Sequence, residues 1–401
     1  WTDLPEVFCS TGVLYATTAE LPAAETGALP REMRLQTGDP DFRAIDDSFE
    51  VFLFHTIHHC KPASPARRIV IYVRNEGEGP VDLYPRQIIS TEGRIGTEHQ
   101  MESELGRRLV AGEWDTPIAS ARIEPGRGGI AAYSRRFGAS SHGPDSSSGQ
   151  HCFGTARVRV VNPEASARPT RLHVFVMAIE AAPLEETLAR AEAALAQGAV
   201  SGDTVVDMTT PPSGCQVRRA TGVFPSFGRR NPPLTLAAAA LPPQGLSFLM
   251  ANWEQGSRGC PETRQTAFLL RHPPYTRPDS IGNYHVDNRL RLRLVNRDAQ
   301  RPSFVDLRFG KHDADIGLAW RIATEAGEIS DEALDQRPVR TGWAGPKQAA
   351  LSRSFLAEDG GVIALAPCET REIALRLLVL GNSSLPYEIF VVPAGEEASA
   401  P

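Results

Sequence analysis

LRLRLVN, residues 290–296, carries the plainest two-residue period in the chain. Successive side chains of an extended strand point to opposite faces, so Leu290, Leu292 and Leu294 share one face and Arg291 and Arg293 the other. This is the pattern of a half-buried strand. Asn296 then opens a polar turn. Similar short runs, rich in β-branched and aromatic residues and bounded by Gly, Pro, Asn or Asp, surround it: QVRRATGVF at 216–224, QTAFLLR at 265–271, SFVDLRF at 303–309, REIALRLLVL at 371–380 and YEIFVV at 387–392. The earlier half repeats the habit in FEVFLFHTI at 49–57, RIVIYVRN at 68–75, VDLYPRQIIS at 81–90, GIAAYSRR at 129–136, ARVRVV at 156–161 and LHVFVMAIE at 172–180. The 32 prolines and 34 glycines are spread along the chain, which punctuates many short elements instead of marking a low-complexity tract.

A chain of 401 residues exceeds what one core usually serves, so two domains are expected. One segment breaks the two-residue period. In PLEETLARAEAALAQG the apolar positions Leu184, Leu188, Ala191 and Leu195 recur at helical spacing, with Glu186 placed to pair with Arg190 and Gly198 to end the helix. The SGDTVVDMTTPPSG passage that follows reads as a bridge. The expected fold is therefore all-β: two tandem antiparallel Ig-like β-sandwich modules, residues 1–183 and 216–401, joined by one short helix and a Pro/Ser/Thr-rich bridge at 184–215. The halves also share an order of features. RIVIYVRNEGEGPVDL matches LRLRLVNRDAQRPSFVDL, with Val81-Asp82-Leu83 set against Val305-Asp306-Leu307; IEPGRGGIAAY matches LAPCETREIAL; and LHVFVMAIE matches the closing YEIFVV.

Net charge is -6, with 42 basic and 48 acidic residues, and the paired arginines lack an aromatic-basic stacking run, so no nucleic-acid partner is expected. No apolar stretch reaches the roughly 18–20 residues that cross a bilayer as a helix. The chain begins at Trp1, which is read as the mark of a removed leader. Six widely spaced cysteines without a CxxC, Cys9, Cys60, Cys152, Cys215, Cys260 and Cys368, are read as disulfide candidates of an oxidising compartment, with fifteen possible pairings left open.

The strand-turn-strand from FEVFLFHTIHH to VRNEGEGPVDL, the LEETLARAEAALAQG helix and the RHPPYTRPDSIGNYHVDNRLRLRLVN passage resemble the domain of unknown function 3370 family of cyanobacterial-type secreted proteins. The resemblance runs from about residue 45 to 395 and is most specific between Tyr275 and Asn296, around Gly282-Asn283-Tyr284. It implies export and a bacterial envelope setting, and it brings no catalytic residues.

Three constellations invite chemistry. HTIHHC at 55–60 offers His55, His58 and His59 as metal ligands, since imidazole is favoured by zinc and copper, although His58 and His59 fall on opposite faces of a continuing strand. KHDAD at 311–315 has too few spaced carboxylates for a calcium loop and reads as a solvated turn. Trp253, Tyr275, Asn283, Tyr284 and His285 bring rings together with amide and imidazole groups, the chemistry of a glycan surface. No GxSxG, SxxK or HExxH occurs. No cofactor is expected. The leading expectation is a non-catalytic, secreted, periplasmic or cell-surface structural protein that engages other envelope proteins or itself. The alternative is a polysaccharide-binding protein, and a hydrolase with scattered carboxylates ranks third.

Overall fold

The structure, a computed structural model, describes residues 2–3, 7–8, 13–21, 31–36, 48–57, 67–94, 97–115, 119–136, 150–163, 171–196, 222–224, 228–231, 233–250, 253–255, 261–263, 286–311, 313–348, 350–381, 383 and 387–395. The chain is all-β, in several mainly antiparallel sheets. Three α-helices occur among the described residues: α1 (Glu98–Ala111), α2 (Leu184–Ala196) and α3 (Asp331–Asp335). Only α2 lies where helical spacing was expected. α1 and α3 correct the expectation of a single connecting helix.

In the second half, a seven-stranded and a six-stranded sheet face each other across one core. Leu290, Leu292 and Leu294 of strand Asp287–Val295 are buried as their alternation requires. They join Trp320, Ile373, Leu375 and Leu377 of the same sheet and Phe309, Tyr387, Ile389 and Val391 of the facing one. Phe309, Trp320 and Phe355 meet edge-on or tilted, with ring centroids 5.0 to 5.5 Å apart, and the Trp320 indole N–H donates to the Phe355 carbonyl at 3.1 Å. Such contacts add to the burial of large rings without leaving their polar atom unpaired.

The first half holds a six-stranded and a four-stranded sheet. Ile69, Ile71 and Val73 of strand Arg67–Asn75, Leu83 of strand Val81–Arg94, and Val158 and Val160 of strand Gln150–Val161 are all buried. α2 covers Val70, Tyr72, Ile130, Phe175 and Ile179 of the four-stranded sheet with Leu188, Ala191 and Leu195, so three of the four positions of its sequence period form its packing face, while Leu184 is exposed. The Glu186–Arg190 pair forms at 3.2 Å.

Strand pairing crosses the expected boundary. Thr2–Asp3 runs parallel to Leu246–Met250, Val7–Phe8 pairs with Gly228–Arg230, and Gly222–Phe224 pairs with Val13–Leu21.

Both halves are built around a buried asparagine at the end of a strand. Asn75 donates through Nδ2 to the carbonyls of Gly79 (2.8 Å) and Ile123 (3.0 Å), and accepts the Gly77 N–H on Oδ1. Asn296 donates to the carbonyls of Arg301 (2.8 Å), Leu365 (3.3 Å) and Ala366 (3.0 Å), and accepts the Asp298 N–H on Oδ1. The Asn75 N–H binds the Arg127 carbonyl and the Asn296 N–H that of Glu369. Two residues before each of these sits a proline, Pro125 and Pro367, followed by a left-handed residue, Gly126 (φ 71) and Cys368 (φ 58). The shared order therefore has a physical basis, with a shifted alignment. Val81 pairs with Ile123 and Ser303 with Leu365, so Val81 corresponds to Ser303, not Val305. The Val-Asp-Leu match is out of register by two residues. The partner of Tyr387–Pro393 is likewise Gln150–Val161, since each pairs with the strand that follows the asparagine turn.

Candidate functional site

α1 begins after Thr97 and ends at Gly112, whose left-handed φ of 73 lets its N–H cap the last turn. Met101 and Leu105 pack on Ile89 of the first half. Val110 packs on Ala319, Leu378 and Leu380 of the second. Gly106 makes the close approach possible: a Cβ there would lie 2.2 Å from Leu380 Cδ2 and 3.0 Å from Ala319 Cβ. The helix is a wedge between the halves.

Beside the wedge lies a cleft of about 390 Å³ lined by His99, Gln100, Ser103, Glu104, Arg107, Thr341 and Trp343. Trp343 sits on edge strand Arg340–Ala344, opposite Gly317, where a Cβ would fall 2.6 Å from the indole. His99 stacks on the ring at 3.7 Å and 21°, and the indole N–H donates to Ser103 Oγ at 2.9 Å. Trp343 is thus gripped by α1 and by its own sheet. Arg107 donates to both oxygens of Glu113 at 3.0 Å and to both of Glu104 at 3.2 and 3.3 Å. These hydrogen bonds, first the ones Glu113 accepts and then those Glu104 accepts, push the guanidinium further above its usual range, and the bond from Arg107 holds the Glu113 carboxyl below its own.

The outer face of the seven-stranded sheet carries a second polar cluster. Arg289, Arg376 and Arg321 stand abreast in register on three neighbouring strands, an arrangement that repels unless countercharge is supplied. Asp287 takes Arg376 Nε at 3.1 Å, Asp335 takes Arg376 Nη1 at 2.9 Å, and Asp331 takes Arg289 at 3.1 Å and Arg291 at 2.8 Å. Burial raises the Asp331 carboxyl, but the hydrogen bond from Arg291 and the charges of Arg289 and Arg230 outweigh it and hold it low. Arg321 is buried and donates to the main-chain carbonyls of Val110 (3.2 Å), Asp335 and Arg337. Burial, and then Arg376, pull its guanidinium down. Of the two arginines that alternation set opposite the leucines, Arg291 is capped by Asp331 of α3, and Arg293 pairs with Glu372 of the neighbouring strand at 2.6 Å. Asp306 is a half-buried carboxyl of another kind. Burial pushes it up against the hydrogen bond from Ser354 Oγ at 2.6 Å.

Of the residues singled out in the sequence, His55 lies on strand Ser48–Ile57 opposite Cys152 of strand Gln150–Val161, which in turn faces Glu92. His58 and His59 lie outside the described residues. Trp253 is on strand Trp253–Gln255, opposite Thr263; Tyr275, Asn283, Tyr284 and His285 lie outside the described residues, as do Cys9, Cys60, Cys215 and Cys260. At Cys368 the disulfide expectation is not met, because it is a free, exposed thiol. In the KHDAD turn, Asp313 pairs with Lys311 at 3.0 Å, while Asp315 accepts from Lys347 N–H and Gln348 Nε2, both at 3.1 Å. The α1 residues escaped sequence reading, although Met101, Leu105 and Leu109 recur every four residues before the stop at Gly112.

No protein-family model and no curated protein matches the chain. Among solved structures, the CUB1-EGF-CUB2 domains of rat MASP-1 align at 10% identity over 94% of this chain and 100% of that one, with a TM-score of 0.14, which is too low to carry an argument about fold or role.

Proposed function

We propose that the protein is a non-catalytic envelope or extracellular protein, exported from the cell, whose two Ig-like modules form a frame that engages other surface proteins or further copies of itself. The observation that carries the reading is the state of the cleft's charged groups. Arg107, Glu104 and Glu113 are committed to one another, and Trp343 and Ser103 to the joint. A site whose charged side chains are paired with one another and whose indole is tied to α1 is suited to recognition by shape and hydrogen bonding, not to proton transfer, which needs an acid or base aimed at a reacting atom. The short edge strands of the sheets offer backbone groups for pairing across chains.

The test is the molar mass of the protein, measured by size-exclusion chromatography with light scattering on material released gently from its source and on the isolated chain. A larger, defined species from the native material is expected. A monomer in both preparations overturns the assembly reading.

A further inference from the structure

One further surface lies outside both polar clusters. Strand Gln150–Val161 buries Ala156, Val158 and Val160, so Arg157 and Arg159 lie on the outer face of the first half's six-stranded sheet. Directly opposite Arg159, across the pairing with strand Val81–Arg94, stands Tyr84, an exposed aromatic at 40% exposure; its neighbour Leu83 is fully buried. The register shift between Arg157 and Arg159 brings tyrosine and arginine abreast. Arg157 lies over the Trp114 ring, 5.2 Å from its centroid, and faces Glu50 in register on the other side. On the adjoining strand Ala121–Ile123, Arg122 faces Asp82 in register and reaches Glu124 at 3.1 Å. Among the described residues Arg159 has no acidic partner and the Tyr84 hydroxyl no hydrogen bond. Two aromatic rings are therefore interleaved with three guanidinium groups on one face, a combination absent from the linear sequence because Tyr84, Trp114, Arg122, Arg157 and Arg159 come from four separate segments.

We propose that this face binds an acidic polysaccharide, a uronate-bearing chain. Tyr84 provides the apolar ring that packs on sugar C–H faces, and Arg159 provides the planar fork that takes a carboxylate through two parallel hydrogen bonds. Charge complementarity selects the occupant. Duplex nucleic acid, with a charge every ~1.7 Å, asks for a denser basic footprint than three arginines with three acids, Glu50, Asp82 and Glu124, at their side, where only Arg159 lacks an acidic partner among the described residues, on a chain of net charge -6. A glycan with a carboxylate on each sugar or fewer matches it better. The site lies apart from the cleft and does not depend on self-assembly, so a failure here and a failure of the mass measurement are separate results.

The experiment is affinity electrophoresis and calorimetric titration of the full chain with alginate, with dextran as the uncharged control and single-stranded DNA as the competing polyanion. Alginate is expected to bind and dextran not. Tyr84→Ala and Arg159→Ala are each expected to weaken alginate binding at least tenfold with unchanged thermal melting, and Arg159→Lys to restore only part of it, because an ammonium lacks the fork. Absence of alginate binding, binding equal for wild type and both variants, or DNA binding as tight as alginate binding would each overturn the proposal.

Discussion

Asn296 shows how much one side chain can hold. Its amide donates to three carbonyls and accepts one N–H in the turn, all in a site 1% exposed. A buried acceptor left without a donor costs about 1–3 kcal/mol, so Asn296→Ala should destabilise by several kcal/mol. Asn296→Asp is the sharper probe, because it keeps the shape and removes the donors. At pH 7 it would place a carboxylate among carbonyl oxygens and should cost more than the alanine. Burial would raise that carboxyl's folded pKa above its unfolded value of about 3.9. The penalty is therefore full above the folded pKa and fades as pH falls through it, because the protonated acid donates again. Urea midpoints of the two variants from pH 7 to pH 4 check this; a gap between them that does not narrow would show that the amide acts by packing. Asn75 makes the same set of contacts with one fewer carbonyl, and the same order of effects is expected there.

At the level of elements, the decisive one is α1. Alanine is better than glycine inside a helix by about 1 kcal/mol, so Gly106→Ala in a solvent-facing helix would stabilise. Here the added methyl meets Leu380 Cδ2 and Ala319 Cβ, and overpacking a filled core costs about 1–3 kcal/mol. A net loss of about 1 kcal/mol in chemical denaturation is expected; a gain would mean that α1 does not sit flush on the second half. This helix also marks where the sequence stops being legible. The Leu290, Leu292, Leu294 alternation and the Leu188, Ala191, Leu195 spacing could be read because each element packs one continuous stripe, from which only Leu184 at the start of α2 departs. α1 buries two different faces against two different partners, and its midpoint is a glycine, so neither a clean stripe nor good local propensity announces it. The arginine face of strand Asp287–Val295 was only partly legible for a related reason: alternation tells which side chains share a face, but not that α3 will fold back over Arg289 and Arg291. The Tyr84–Arg159 pair was invisible because it exists only through strand register. The asparagine turns were partly visible, since residue identity was legible and the two-residue offset was not.

For the whole molecule, the question is whether two halves with separate cores behave as two domains or one. Inter-domain contacts within a chain are usually modest and polar, so independent motion is the ordinary expectation. Several features oppose it here. α1 places Met101 and Leu105 on one half and Val110 on the other. Glu102, fully buried, accepts the Gly381 N–H at 2.8 Å, Arg321 reaches the Val110 carbonyl, and Trp343 holds Ser103. Val7–Phe8 and Gly222–Phe224 each pair with a strand from the opposite side of the expected boundary. Melting either half would strip α1 of one of its two supports and take the Gly381 N–H from buried Glu102 and the Val110 carbonyl from buried Arg321, a loss of several kcal/mol against a total stability of about 5–15 kcal/mol. Scanning calorimetry of the wild type should therefore give one transition with matching calorimetric and van't Hoff enthalpies. Gly106→Leu, whose side chain cannot be accommodated between the helix and Leu380, should split it into two, with both cores intact but no longer coupled. Two transitions in the wild type would show that the wedge positions the halves without joining their stability, and the cleft beside Trp343 would then open and close with their relative motion instead of being held by the joint.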